Sequence, residues 1–249
     1  MKIERIEKKN NKYKIHFDNG DILNTYDQVI IDNKILYAKD IDDTIYQKIV
    51  KDTNEYDLYD KCIKLITKKL RSKKEIADYL YKQTDNENLI NWIIDKLLNN
   101  GLINDTIYVK AYINDKINFT NDGPYKIKDD LSKNNIDDDI INQELTKIDN
   151  DVFRNKVEKY INKKINSNKT SAYQFKQKIL NDLINKGYTK EMILEYLDNI
   201  KIDSNIKQEY EKIYVKLSKK YSGNELNYKV RNKLYQKGYN TEEINEIIK

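Results

Sequence analysis

Lys61-Cys62-Ile63-Lys64-Leu65, Leu70-Arg71-Ser72-Lys73-Lys74-Glu75-Ile76-Ala77-Asp78-Tyr79-Leu80 and Leu89-Ile90-Asn91-Trp92-Ile93-Ile94-Asp95-Lys96-Leu97-Leu98-Asn99-Asn100-Gly101 spell three successive amphipathic helices. Leu58, Cys62, Leu65, Ile66 and Leu70 form one apolar stripe at helical spacing. Ile76, Tyr79 and Leu80 form a second, and Leu89, Ile90, Ile93, Ile94, Leu97 and Leu98 a third. Asn100-Gly101 supplies a left-handed stop. The pattern is then written again, in Asn104 to Tyr112, Gly123-Pro124-Tyr125-Lys126-Ile127-Lys128-Asp129-Asp130-Leu131 and Asp137-Asp138-Asp139-Ile140-Ile141.

Two further copies follow. Ile76/Leu80 correspond to Ile127/Leu131, Ile179/Leu183 and Val230/Leu234, at intervals of 51, 52 and 51 residues, and the next helix supplies Ile90, Ile141, Ile193 and Ile244. Lys186-Gly187-Tyr188 and Lys237-Gly238-Tyr239 place a glycine stop before the third helix, a position held by Asn135 in the second copy. A bundle of about 45 residues is marginal alone, so units of this kind are expected to lean on their neighbours. The expected fold class is mainly α: tandem three-helix-bundle repeats in an elongated curved array, with a small β-rich N-terminal cap. The expected boundaries are 1–57 for the cap and 58–103, 104–148, 149–202 and 203–249 for the repeats.

In the cap, Tyr13, Ile15 and Phe17 alternate with Lys14, His16 and Asp18, so His16 is expected to face solvent. Asp18-Asn19-Gly20-Asp21 reads as a hairpin turn, Ile3 and Ile6 as a preceding strand, and Tyr26–Ile31 and Asp42–Val50 as short helical pieces, the latter capped by Asp42-Asp43-Thr44. A sheet this small requires a neighbour to pack on.

The composition narrows the function classes. One cysteine excludes an internal disulfide, no window approaches a membrane span, and no apolar leader opens the chain, so a cytoplasmic protein without membrane association is expected. A lone histidine leaves little scope for imidazole catalysis or a His-rich metal site. Cys62 reads as core, Asp137-Asp138-Asp139 as a helix cap rather than a cation site, and Pro124 as a first-turn residue. No catalytic, metal or cofactor constellation is found, and a non-enzyme with no cofactor is expected.

The net charge of +5 is unevenly distributed: −2, +3, −3, +4 and +3 over the five segments above. The candidate partner- or DNA-binding residues are therefore the basic runs: Lys68, Lys69, Arg71, Lys73 and Lys74 in the first repeat, Lys126 and Lys128 in the second, Lys163, Lys164 and Lys169 in the third, and Lys219, Lys220 and Arg231 in the fourth. Stacked repeats would align such runs into a discontinuous positive strip. Tyr81, Tyr125, Tyr173 and Tyr228 are the exposed aromatic candidates.

The order Leu70-Arg71-Ser72, Glu75-Ile76, Tyr79-Leu80, Gly101-Leu102-Ile103-Asn104-Asp105, Ala111-Tyr112 and Gly123-Pro124 with Ile127 and Leu131 resembles the RecX family of bacterial modulators of the RecA recombinase, over residues 58–148. The β-containing extension is similar to that of longer Gram-positive members. Asn135 stands where the family often has glycine, and lysines replace many of its arginines, which makes each a poorer bidentate partner. The resemblance implies a monomeric, non-enzymatic regulator that lies in the groove of a RecA filament on DNA and modulates, foremost inhibits, its recombinase, ATPase and coprotease activities. The competing reading is a stand-alone nucleic-acid-binding helical repeat protein.

Overall fold

The computed structural model describes residues 1–10, 12–203 and 205–248, so Lys249, the last position of the fourth expected repeat, lies outside the described residues. Three strands, β1 (Ile3–Lys9), β2 (Lys12–Phe17) and β3 (Ile22–Tyr26), form an antiparallel sheet in the order β1-β2-β3. Helices α1 (Asp27–Asp32), α2 (Asp43–Lys68), α3 (Lys73–Tyr81) and α4 (Glu87–Asn99) follow, then α5 (Asp105–Phe119), α6 (Pro124–Ser132) and α7 (Asp138–Thr146). The chain continues with α8 (Asn150–Ile165), α9 (Ala172–Asn185) and α10 (Lys190–Leu197), and ends with α11 (Ile206–Leu217), α12 (Gly223–Gln236) and α13 (Thr241–Ile247). It divides into two compact units, Met1–Tyr108 and Val109–Lys249.

In the first unit, the sheet covers a core of Ile15, Phe17, Val29, Ile30, Ile35, Ile41 and Ile49. The helical piece expected at Asp42–Val50 is in fact the opening of α2, which runs on through the boundary expected at residue 57. The Asp42 carboxylate caps Ile45 N–H at 2.8 Å, and no glycine or proline interrupts residues 43–68, so the helix continues. One helix therefore serves two cores. Its first half buries Ile49 and Thr53 against the sheet, where the Thr25 and Thr53 hydroxyls meet at 2.6 Å, and its second half buries Leu58, Tyr59 and Cys62 among α3 and α4. This is how the small sheet finds the neighbour it requires.

His16 corrects the second expectation. Its side chain is only 19% exposed, and Nε2 lies 3.8 Å from Glu7 Oε2. The alternation of the strand holds, but β2 is the central strand, so Arg5 on β1 and Ile22 on β3 flank His16 and screen the outer face.

The repeat positions behave as the spacing predicts. Ile76, Leu80, Ile90, Ile127, Leu131, Ile141, Ile179, Leu183, Ile193, Val230, Leu234 and Ile244 are all buried. Asn135 adopts φ +54° and Gly187 φ +84°, each reversing the chain between the second and third helices of its triplet. Cys62 is a core residue whose burial pushes its thiol up to about 11. Asp137 caps α7 by accepting from Asp139 N–H at 2.7 Å, and Pro124 opens α6.

Within the second unit, one joint recurs. The turn before the third helix of one triplet docks on the N-terminus of the middle helix of the preceding triplet. Gly123 N–H donates to Lys186 O at 2.6 Å and Tyr125 N–H to Gly187 O at 3.1 Å. In the next joint, the Ser171 hydroxyl, itself at the N-cap of α9, donates to Lys237 O at 2.7 Å. The approach is so close that a β-carbon on Gly187 would stand 2.2 Å from Lys126 N, and one on Gly238 would stand 2.9 Å from Ser171 Oγ. The Lys156 ammonium strengthens the first joint by donating to Ile117 O and Thr120 O, which caps the carbonyl end of α5.

Candidate partner-binding surface

The basic residues singled out above fall at helix ends and turns, but they are not equivalent. Arg71 is drawn into local structure. Ser72 and Glu75 form a reciprocal capping box at the start of α3, at 3.2 and 3.0 Å, and Arg71 Nη1 donates to Glu75 Oε1 at 3.1 Å. Arg231 is likewise engaged, with Asn245 and with Ile248 O at 2.9 Å, so it ties α12 to the chain end. Lys126 sits 2.7 Å from Asp130, and Lys128 donates to Asn142 at 2.9 Å. Lys164 stands over the Tyr160 ring at 5.6 Å, and Lys74 is half-buried at the start of α3.

By contrast, Lys68, Lys69 and Lys73 in the first triplet, Lys163 and Lys169 in the third, and Lys219 and Lys220 in the fourth are exposed. They make no ion pair among the described residues. Their ammonium groups keep their hydration and are available to an incoming anion. Tyr81, Tyr125, Tyr173 and Tyr228 are all well exposed, as a stacking or packing role requires.

The second triplet carries a different electrostatic feature. Lys116 bridges Asp122 at 2.7 Å and Asp130 at 3.3 Å, with Tyr112 OH also on Asp130 at 3.2 Å. For Lys116, burial opposes the charge, but Asp122, Tyr112 and Asp130 outweigh it and its pKa rises. For Asp130, burial again opposes the charge, and Lys126, Lys116 and Tyr112 prevail, so its pKa falls. A depressed carboxylate stabilises the fold above its unfolded value of about 3.9 and loses that contribution as pH falls through the folded value. A raised lysine stabilises it below about 10.4 and loses that contribution as pH rises through the folded value. Lys116→Met is therefore expected to cost about 1–2 kcal/mol at pH 7 and to flatten both the acid and the alkaline limbs of a thermal-stability profile recorded from pH 3 to 11.

Sequence reading missed one basic feature. At the β1–β2 hairpin, Lys9, Lys12 and Lys14 gather with Lys64 of α2 around a groove of about 700 Å³ that Glu7, Tyr13, Tyr26 and Asp60 also line. Lys12 is held over the Tyr26 ring at 4.4 Å and lies 3.5 Å from Asp57. The segment total of −2 concealed it. The usable signal was local: Lys12 and Lys14 alternate along one strand, close to Lys9 across the hairpin.

Among the described residues, no group of three or more His, Cys, Asp or Glu could hold a metal ion, and no helix is long and apolar enough to cross a membrane. Four helix triplets and a small sheet define a helical-repeat protein, with exposed lysines that make no ion pair among the described residues at several of its helix ends and turns.

Residues 104–145 match the family model described as RecX, second three-helix domain. The chain is 31% identical over 258 residues to a "Regulatory protein RecX" of Streptococcus agalactiae serotype III, spanning 100% of this chain and 99% of that relative. A "Regulatory protein RecX" of Oceanobacillus iheyensis is 26% identical, with 99% and 97% covered. A crystal structure of regulatory protein RecX shares the fold at TM-score 0.69 and 22% identity, over 80% of this chain and 99% of that one. RecX from Lactobacillus salivarius superposes at TM-score 0.52 with 29% identity, over 59% and 97%. The chain belongs to the RecX family.

Proposed function

We propose that this protein is a non-enzymatic, monomeric regulator of the cytoplasm that binds the helical groove of a RecA filament assembled on DNA and restrains its recombinase, ATPase and coprotease activities. Its organisation is a cap (1–57) and four triplets (58–103, 104–148, 149–202 and 203–249), with α2 shared between cap and first triplet. The observation that carries this reading is the recurrence, on the first, third and fourth triplets of a RecX-family chain, of exposed lysines that make no ion pair among the described residues. A periodic partner can engage several such triplets at once, and linked weak contacts gain avidity without any single strong one. The joints of the second with the third and of the third with the fourth triplet support this use, because such close packing holds the spacing of those triplets.

Stand-alone nucleic-acid binding is the second reading, and the lysine-lined hairpin groove favours it. Fluorescence anisotropy of labelled protein separates the two. Regulator function predicts strong binding to single-stranded DNA only when RecA is assembled on it, together with slowed ATP hydrolysis. Direct nucleic-acid binding predicts affinity for the bare strand that falls steeply and linearly on a logarithmic salt scale. Equal binding to naked and RecA-coated DNA would remove the regulator reading.

A further inference from the structure

From the groove beside the joint of the second and third triplets, we infer that the protein grips an extended segment of its protein partner that presents a bulky apolar side chain beside a carboxylate. The groove measures about 580 Å³, and Pro124, Leu145, Ile148, Phe153 and Met192 form its apolar wall. Tyr125 stands at its lip with 63% of its surface exposed, although the backbone N–H of the same residue is fixed by Gly187 O. The backbone that carries the ring is already ordered, so covering it costs only the ring's own rotamer freedom.

The occupant's chemistry follows from the lining. No carboxylate lines the groove, and its one charged lining residue is Lys128, whose ammonium is steadied by Asn142 Oδ1 at 2.9 Å, itself on the wall. The nearest acid to that ammonium, Asp138, is 3.8 Å away and mostly exposed, so it competes weakly. The neutral rim of Thr146, Asn150 and Thr189 offers donors and acceptors to a peptide backbone. An apolar side chain fits the wall, a neighbouring carboxylate meets Lys128, and a basic segment lacks that second match. A sunken apolar pocket with a polar rim is the usual place for the few residues that dominate a protein interface.

This inference rests on the filament reading, with the bound segment belonging to a RecA subunit, and the experiment keeps the two apart. Anisotropy with RecA assembled on single-stranded DNA is compared for the wild type, Tyr125→Ala, Thr146→Trp, which blocks the groove from its exposed rim, and Lys128→Glu. Circular dichroism melts check that each variant folds as the wild type does. The expected result is a loss of about 10-fold or more for Tyr125→Ala and for Thr146→Trp, and about 5-fold for Lys128→Glu. If the wild type binds and all three variants bind within two-fold of it, the groove inference is overturned while the filament reading stands. If the wild type does not bind, the filament reading fails, and the groove is judged by a peptide arm. The Met192 methyl resonance is then followed during titration with acetyl-Leu-Phe-Asp-Glu-amide and with its Lys-Lys counterpart. A shift with the acidic peptide alone upholds the groove, and no shift, or equal shifts with both, overturns it.

Discussion

Gly187→Ala is expected to lower the unfolding free energy by about 2–4 kcal/mol, whereas Gly101→Ala is expected to cost only about 1 kcal/mol. Both glycines end helices in the left-handed region, at φ +84° and +66°, so both substitutions carry the same conformational strain. They differ in what the new methyl group meets. Nothing lies within 4 Å of a β-carbon on Gly101, but one on Gly187 lands 2.2 Å from Lys126 N and 2.9 Å from its Cα. Backbone cannot step aside there without opening the Gly123 N–H to Lys186 O and Tyr125 N–H to Gly187 O bonds. Gly123→Ala isolates the crowding, because Gly123 has an ordinary φ of −89° yet its β-carbon would meet Gly187 O at 2.5 Å. Urea unfolding of the three variants separates strain from closeness. If Gly187→Ala and Gly101→Ala cost the same, the joint is not tight enough to transmit spacing.

The contrast between these glycines also marks what sequence reading reaches. The stop at Gly187 is legible, since Lys186-Gly187-Tyr188 recurs as Lys237-Gly238-Tyr239 and Asn135 fills the slot once. The second duty of Gly187, close passage of the preceding triplet, leaves no local trace, because its partner Lys126 is remote in sequence and periodicity speaks only of one helix's own face. The core was legible for the opposite reason: Ile127, Ile179 and Val230 must each turn inward on their own helix, and a constant interval repeats that demand.

The basic surface was half legible. A lysine announces its charge but not its company. Arg71 and Glu75 are four residues apart on one helix start, so their pairing is readable, whereas Arg231 reaches Ile248 O through a turn whose geometry the sequence does not specify. The continuity of α2 is not legible because the hydrophobic period changes near Tyr56, which looks like a break in the chain but is a change of partner along a single helix.

Those distinctions decide which charges to reverse. Lys68→Glu/Lys69→Glu/Lys73→Glu is expected to weaken filament binding on the order of 100-fold at low ionic strength, about 2.7 kcal/mol, with little change in thermal stability. Stability should hold because none of the three makes an ion pair among the described residues, and because the dipole effects oppose one another. Glutamate is unfavourable in the last turn of α2, where Lys68 sits, and favourable in the first turn of α3, where Lys73 sits, each by about 0.5 kcal/mol. The deficit should shrink as salt rises, since exposed charges are screened beyond about 8 Å at physiological ionic strength. Arg71→Glu is the wrong probe, because it sets a like charge against Glu75 and breaks the start of α3, so a loss of binding would report unfolding. Lys163→Glu/Lys169→Glu then tests avidity. If triplets bind a periodic partner together, reversing the first and third sets at once should cost about the product of the separate losses. If the first set alone leaves affinity unchanged, the partner meets another face of the repeats.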